Sequence, residues 1–238
     1  MRCVHWSLLA LVVACSSSTT TPAGPVNPCG AGPYVKVDGT VNEFQVGPYR
    51  PKEGMKISAD LCPNLAATTD ANGKVTLNVP KGKPFVTRFD HPDDVPMLFP
   101  EWQLDADFVG EMAVIPTSYQ SLILPEFAPD KAMIGFGVFT GAADAGPCST
   151  ADGVTYAIPG QPQAKIVYFN AEPVPKPDAT LTATSTNGIA SVTFPDALTV
   201  EPTATKAGCT LVSKHDGFTG RAVMQKGRFV QFFFVMSK

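Results

Sequence analysis

The chain has 238 residues, of which only 16% are charged, against ~25% in a typical globular protein. Its formal net charge is −3, so no basic surface is indicated and the sequence argues against nucleic acid as a partner. Its 23 prolines are spread along the whole sequence and argue against long uninterrupted helices. This composition is typical of an exported protein rich in β-structure.

Residues 1–14 have the pattern of a signal peptide. Arg2 supplies a positive charge, and the apolar stretch that follows is too short to span a bilayer. Residues 12–15 read Val-Val-Ala-Cys and resemble a bacterial lipobox, which implies that Cys15 becomes the first mature residue and carries lipid such as palmitate. The alternative is an ordinary secretory signal with a coincidental cysteine. Ser16 stands where an Asp would favour the inner membrane, so we expect the outer membrane in a Gram-negative source.

Residues 15–32 are predicted to be the lipidated cysteine and a flexible tether. Residues 16–21 are all Ser or Thr, and Pro22 follows them. Polar segments of low complexity do not bury enough apolar surface to fold. Such a tether would let an anchored domain stand clear of the bilayer.

Two segments built around Asn-Gly predict related strand units. Asn72-Gly73 is a tight-turn signal, and apolar residues then alternate with polar ones over residues 75–79, as in a half-buried strand. Asn187-Gly188 precedes the same alternation over residues 190–194, and a proline closes both runs. We interpret the repeat as two related domains.

The rest of the chain predicts two antiparallel β-sandwiches with one short helix. Other strands are short, rich in β-branched or aromatic residues, and separated by Gly and Pro. The predicted division is domain 1 at residues 33–116, a connection at 117–131 that contains a helix over 117–124, and domain 2 at 132–238. Further strands are predicted at residues 35–41, 55–59, 84–89, 133–139, 154–158, 165–169, 180–184, 198–201, 221–223 and 229–235.

Four cysteines remain after the signal peptide and the lipidated residue are set aside. An even number in an exported chain predicts two disulfides, and four cysteines allow three pairings. The proposed domain division favours Cys29–Cys62 and Cys148–Cys209, with one bridge in each domain. A zinc site is the competing interpretation, but the sequence has no Cys-x-x-Cys pair and no histidine near these cysteines.

Three stretches of the first predicted domain resemble the carboxypeptidase regulatory-like, or transthyretin-like, β-sandwich family. They are Gly39–Val41, Met55–Asp60 and Thr68–Gly82. A looser second copy covers residues 153–158, 164–169 and 180–209, where residues 196–198 replace the family's usual Pro-Gly turn. The resemblance implies two tandem transthyretin-like sandwiches. It also implies modules that are non-catalytic in most settings and serve as spacers, accessory domains or binding modules.

One acidic loop is a weak candidate for metal chemistry. Asp90, His91, Asp93 and Asp94 lie within five residues and could together bind a divalent cation. Their spacing fits no established metal motif, and the proline between them indicates a loop. A solvated, turn-forming acidic loop is the alternative, so we predict no cofactor.

Phe99 and Trp102 are a candidate contact surface. An exposed aromatic pair could stack on a sugar or on a partner protein. The alternative is that both side chains pack in the core at the edge of the first domain.

These features predict a non-enzymatic lipoprotein of the cell envelope or cell surface. It would be exported, attached to the outer membrane by its lipid anchor, and act as a binding or structural module for envelope proteins or glycans. An exported metal-dependent enzyme that uses the His91 loop is the alternative function. A purely structural accessory subunit of a surface machine is a third.

Overall fold

A computed structural model describes residues 29–30, 32–45, 48–60, 62–140 and 146–238. The predicted signal peptide, the lipidation site Cys15 and most of the predicted tether therefore lie outside the described residues. The described chain is almost entirely β-structure, which confirms the predicted fold class. No helix in these residues is both long enough and apolar enough to span a membrane.

The strands are short and separated by turns, with one helix near the middle. The helix α1 (Thr117–Ile123) agrees with the sequence prediction, and a single 3-10 turn covers Gly146–Ser149. The strands are β1 (Tyr34–Glu43), β2 (Arg50–Pro51), β3 (Lys56–Ala59), β4 (Cys62–Thr68), β5 (Lys74–Pro80), β6 (Pro84–Phe85), β7 (Thr87–Asp90), β8 (Met97–Leu98), β9 (Trp102–Gln103), β10 (Phe108–Val114), β11 (Ala132–Thr140), β12 (Thr155–Ala157), β13 (Val167–Tyr168), β14 (Ala190–Phe194), β15 (Leu198–Val200), β16 (Thr203–Thr205), β17 (Thr210–Val212), β18 (Ala222–Met224) and β19 (Arg228–Ser237).

In the first half of the described chain, β1 lies between an antiparallel and a parallel neighbour. It pairs antiparallel with β5, the strand that follows Asn72-Gly73, and parallel with β10. Along β5, Val75, Leu77 and Val79 are buried, while the residues between them are exposed. The alternation seen in the sequence therefore corresponds to one face against the core and one face in solvent.

The second half repeats this arrangement. Its first strand, β11, pairs antiparallel with β14, which follows Asn187-Gly188, and parallel with the last strand, β19. The two Asn-Gly segments thus occupy the same place in two similar sets of strand pairs. The parallel first and last strands differ from the purely antiparallel pairing that the sequence predicted.

A continuous sheet joins the two halves. Strand β19 also pairs parallel with β8, so nine strands from both halves form one sheet. The apolar cores interlock as well: Met133 and Phe229 belong to the core of the first half, and Val86 and Leu98 to the core of the second. The two cores therefore share one sheet, and each contains side chains from both halves of the chain.

The predicted strand at residues 180–184 is wrong. Asp178 accepts hydrogen bonds from the backbone N–H and the hydroxyl of Thr180, at 2.9 and 2.6 Å. These local bonds hold the chain in a turn, because an Asp side chain competes with the backbone partners that a strand needs.

Candidate functional site

The four residues of the acidic loop do not converge on one point. Asp90 forms an ion pair with Arg228 across the two halves, at 2.7 Å. The side chain of Asp93 is 81% exposed, whereas that of Asp94 is 1% exposed and turned inward. No group of three or more His, Cys, Asp or Glu side chains in the described part of the chain is placed to hold a metal ion. The weak metal candidate is therefore not supported by the geometry.

Asp94 instead belongs to a buried charge network. Its Oδ2 lies 2.7 Å from Lys52 Nζ and 3.0 Å from His91 Nδ1. Lys52 Nζ also donates to Glu43 Oε2 at 3.0 Å, and Arg50 pairs with the same carboxylate. A buried charge is tolerated only when it is paired, so these residues hold one another in place.

Burial and pairing shift the pKa values of this network in different directions. Burial raises the pKa of Asp94, and the nearby Lys52 ammonium offsets only part of that effect. Burial alone would lower the pKa of Lys52, but its hydrogen bonds to Asp94 and Glu43 outweigh it and raise the pKa. Burial would raise the pKa of Glu43, yet hydrogen bonds from Lys52 and Arg50 lower it. Lys52 is therefore held in its charged form.

The network fixes a turn rather than presenting a reactive group. Thr117 N–H donates to the carbonyl of Asp93 at 2.9 Å, and Val95 N–H to that of Ile115 at 2.8 Å. These bonds tie the β7–β8 turn to the segment that leaves β10 and enters α1. The paired charges of Glu43, Lys52 and Asp94 thus stabilise the packing of the first half.

Phe99 and Trp102 are core residues, so the predicted contact surface is wrong. Their side chains are only 4% and 3% exposed. The Trp102 ring stacks on Phe85 at a centroid distance of 6.2 Å and contacts Phe218 at 4.2 Å. Residues 97–102 pack at the junction of the two halves, and neither aromatic ring in this segment is available to a ligand.

Trp102 marks a junction at which the two halves are hydrogen-bonded. Gln103 N–H donates to the carbonyl of Gly217 at 2.8 Å, and Thr219 N–H to that of Glu101 at 2.9 Å. The Arg221 guanidinium donates to both Glu101 carboxylate oxygens, at 3.1 and 3.2 Å. Both bonds come from one guanidinium nitrogen, Nη1, and they are charge-assisted, so they strengthen the contact between the two halves.

An open polar cleft lies beside this junction. It is shallow and open to solvent, with a volume of about 300 Å³. Strand β9 and the residues after it form one wall, and the 214–219 loop forms the other. The lining residues are Gln103, Asp105, Lys214, Gly217, Phe218 and Thr219.

Sequence reasoning did not identify this cleft. The walls come from opposite halves of the chain, and they meet because β9 lies against the 214–219 loop. Nothing in either local sequence indicates that contact.

The structure contains two disulfides, Cys29–Cys62 and Cys148–Cys209, with Cα–Cα distances of 5.7 and 5.6 Å. The first ties the start of the described chain to β4. The second ties the 3-10 turn to the segment before β17, and Cys148 is fully buried. Each half therefore contains one bridge.

No protein-family model matches the chain, and no curated protein matches it. Among solved structures it is similar to the TIE protein of Bacillus anthracis, with 13% identity and a TM-score of 0.26 over 85% of this chain, and it spans only 34% of that protein. It is also similar to a minor pilin of Streptococcus agalactiae (11% identity, TM-score 0.26, covering 86% of this chain and 96% of that one). A shaft pilin of Lactobacillus rhamnosus GG matches at 10% identity and a TM-score of 0.26, over 87% of this chain and 99% of that one. At these values the likeness carries no argument about function.

Proposed function

We propose that this protein is a non-enzymatic lipoprotein of the cell envelope that binds a partner at the junction of its two halves. Cleavage after residue 14 would leave Cys15 as the lipidated first residue, followed by the tether. The folded part would then stand clear of the outer membrane. The observation that carries the binding role is the open cleft, whose walls are joined by backbone hydrogen bonds.

The two disulfides support export. Disulfides persist in oxidising compartments and are rare where glutathione keeps thiols reduced. The four cysteines of the two bridges are the ones that remain once the proposed signal peptide and anchor are removed.

The repeated strand pairing supports two transthyretin-like units. In each half the first strand lies between the strand after Asn-Gly and the last strand of that half. We propose residues 33–116 and 132–238 as these units, connected by 117–131. Because they share a sheet and core residues, the two units would move as one body rather than as independent domains.

The arrangement of charges supports binding rather than catalysis. Asp90 and Asp94, two of the four candidate residues of the His91 loop, are each paired with a cation of the protein itself. By contrast, the side chains of Gln103, Asp105 and Lys214 at the cleft are exposed and have no hydrogen-bond or ion-pair partner among the described residues. They are free to contact a ligand.

The anchor is tested by metabolic labelling with a palmitate analogue. We expect Cys15→Ala to abolish labelling and to release the protein from the membrane fraction. Cys3→Ala is the matched control, because that cysteine lies inside the proposed signal peptide and should leave labelling intact. Labelling that persists in Cys15→Ala would contradict the anchor.

The binding role is tested by in vivo crosslinking. A photo-crosslinking residue in place of Lys214 should capture a discrete partner, whereas the same residue at the exposed position Gln163, outside the cleft lining, should not. Equal products from both positions would argue against a specific site.

A further inference from the structure

The junction cleft combines features that select one class of ligand. We infer that it binds a neutral oligosaccharide, an inference that rests on the proposed binding role and names its ligand. Three observations carry it: both walls are hydrogen-bonded to the rest of the fold, the polar side chains of the lining are free, and the lining has one cation and one anion beside an aromatic ring.

Hydrogen bonds order the 214–219 loop. His215 Nε2 lies 3.1 Å from the Phe233 carbonyl, and Phe218 N–H donates to the His215 carbonyl at 2.8 Å. Asp216 and Gly217 have φ values of +46° and +84°, and Asp216 is the one non-glycine residue with positive φ in the described chain. A wall that is already ordered loses little conformational entropy when a ligand binds.

The free polar groups suit hydroxyl recognition. The Gln103 amide offers both donors and an acceptor, the Asp105 carboxylate offers acceptors, and the Lys214 ammonium offers donors. None of the three has a hydrogen-bond or ion-pair partner within the described residues. A sugar hydroxyl donates and accepts at once, so this mixed set can satisfy several hydroxyls of one ring.

The electrostatics favour a ligand without net charge. Among the residues that line the cleft, Lys214 is the one cation and Asp105 the one anion. Phosphate or carboxylate recognition usually relies on clustered cations, and a cationic ligand would meet Lys214. Phe218 adds a half-buried ring, which contacts the rings of Trp102 and His215 at centroid distances of 4.2 and 5.2 Å and contributes apolar surface to the cleft for the C–H groups of a sugar.

The experiment measures saccharide binding to the purified full-length mature protein in detergent. The probes are cellohexaose, chitohexaose, xylohexaose and mannohexaose, with pentagalacturonate as an anionic comparison. Trp102 is the one tryptophan outside the proposed signal peptide, so its fluorescence reports on the ring that lines the cleft. We expect at least one neutral hexasaccharide to bind saturably and pentagalacturonate not to bind.

Paired variants decide whether the cleft is responsible. Gln103→Ala/Lys214→Ala should weaken binding about tenfold or more, because two hydrogen-bonding groups are lost. Gln163→Ala/Lys165→Ala removes the same two residue types from exposed positions outside the lining and should leave affinity unchanged. Both pairs should keep the wild-type Tm, since all four side chains are exposed.

Other outcomes overturn the inference in distinguishable ways. Saccharide binding that survives Gln103→Ala/Lys214→Ala would place the glycan site elsewhere. No neutral saccharide binding, together with a position-214 crosslink to a protein partner, would overturn the ligand class but keep the proposed binding role. Absence of both would overturn the binding role as well.

Discussion

Thr69 and Thr184 make the same four hydrogen bonds in the two halves of the molecule. The Thr69 hydroxyl accepts from Met55 N–H at 2.9 Å and donates to the Lys52 carbonyl at 2.5 Å. Its backbone N–H and carbonyl pair with Met55 and Gly54, at 3.0 and 3.1 Å. A buried side chain thus fastens the segment before the Asn-Gly turn to the segment before β3.

The second half repeats each of these bonds. The Thr184 hydroxyl accepts from Val154 N–H at 2.8 Å and donates to the Ala151 carbonyl at 2.6 Å. The Thr184 backbone pairs with Val154 and Gly153, at 2.9 and 2.8 Å. Gly153, like Gly54, has a positive φ, so the turn geometry is repeated along with the bonds.

Replacing either threonine with valine should destabilise the protein. Thr69→Val and Thr184→Val keep the shape but leave a buried N–H and carbonyl short of a partner, at a cost of about 1–3 kcal/mol each. Thr→Ser at the same positions keeps the hydroxyl and should cost less. Urea unfolding measures the free energy of unfolding, and valine variants as stable as the serine variants would refute the role of the hydroxyl.

The sequence was most informative where local patterns decide structure. The alternation of Val75, Leu77 and Val79 predicts β5 because burial of one face leaves a period of two. Burial also alternates along β10, but the residue types do not follow it. Gly110 occupies one inward position, and the apolar Val109 points outward with 78% of its surface exposed, so the sequence does not predict this strand. Parallel pairing of first and last strands needs no turn between them and leaves no local signal.

Contacts between distant residues were beyond local reasoning. The sequence from Asp90 to Asp94 is compatible with a metal site. It does not show that Arg228 pairs with Asp90 and that Lys52 pairs with Asp94. Trp102 looked like a surface aromatic because Phe218, which covers it, comes from the other half. The sequence does not predict the cleft for the same reason, because its two walls come from different halves of the chain.

Lys52→Met should destabilise the first half far more than Arg50→Met. Both substitutions remove a cation from Glu43, but Lys52 also neutralises Asp94, whose side chain is 1% exposed. Loss of one partner of a buried pair costs about 3 kcal/mol, whereas an exposed pair contributes less than about 1 kcal/mol. Chemical denaturation measures both, and Lys52→Met/Asp94→Asn should recover part of the loss. Equal effects of the two single variants would contradict a buried network.

The stabilisation from Glu43 should be complete above its usual pKa and should decline below it. Its folded-state pKa is lowered from 4.5, so the unfolded chain binds protons more tightly and acid favours unfolding. Its contribution is complete above pH 4.5 and is lost as the pH falls through the folded value. Asp94, whose pKa is raised, opposes this trend. We expect Glu43→Gln to lower Tm at pH 7, with the difference from wild type shrinking towards pH 3. A difference that does not depend on pH would contradict the assignment.

Gly217→Ala should disturb the junction, whereas Gly160→Ala should not. Both glycines have a positive φ, of +84° and +80°, so both variants carry the same backbone strain of about 1 kcal/mol. A Cβ at Gly217 would lie 2.2 Å from Leu104 Cδ2, whereas one at Gly160 meets nothing within 4 Å. The larger loss of stability in Gly217→Ala should be accompanied by a shift in Trp102 fluorescence. Identical effects of the two variants would mean that the loop packs against β9 less closely than the contact indicates.

The Cys29–Cys62 bridge should hold the start of the described chain against β4. It closes a separation of 33 residues, against 61 for Cys148–Cys209, and chain entropy gives each bridge about 3–4 kcal/mol. Cys29→Ser/Cys62→Ser should lower Tm and expose the chain before β1 to protease, because that chain is then no longer covalently tied to β4. Cys148→Ser/Cys209→Ser should lower Tm without new cleavage before β1. Limited proteolysis mapped by mass spectrometry compares them, and an identical cleavage pattern in both variants would show that the first bridge does not hold the chain before β1.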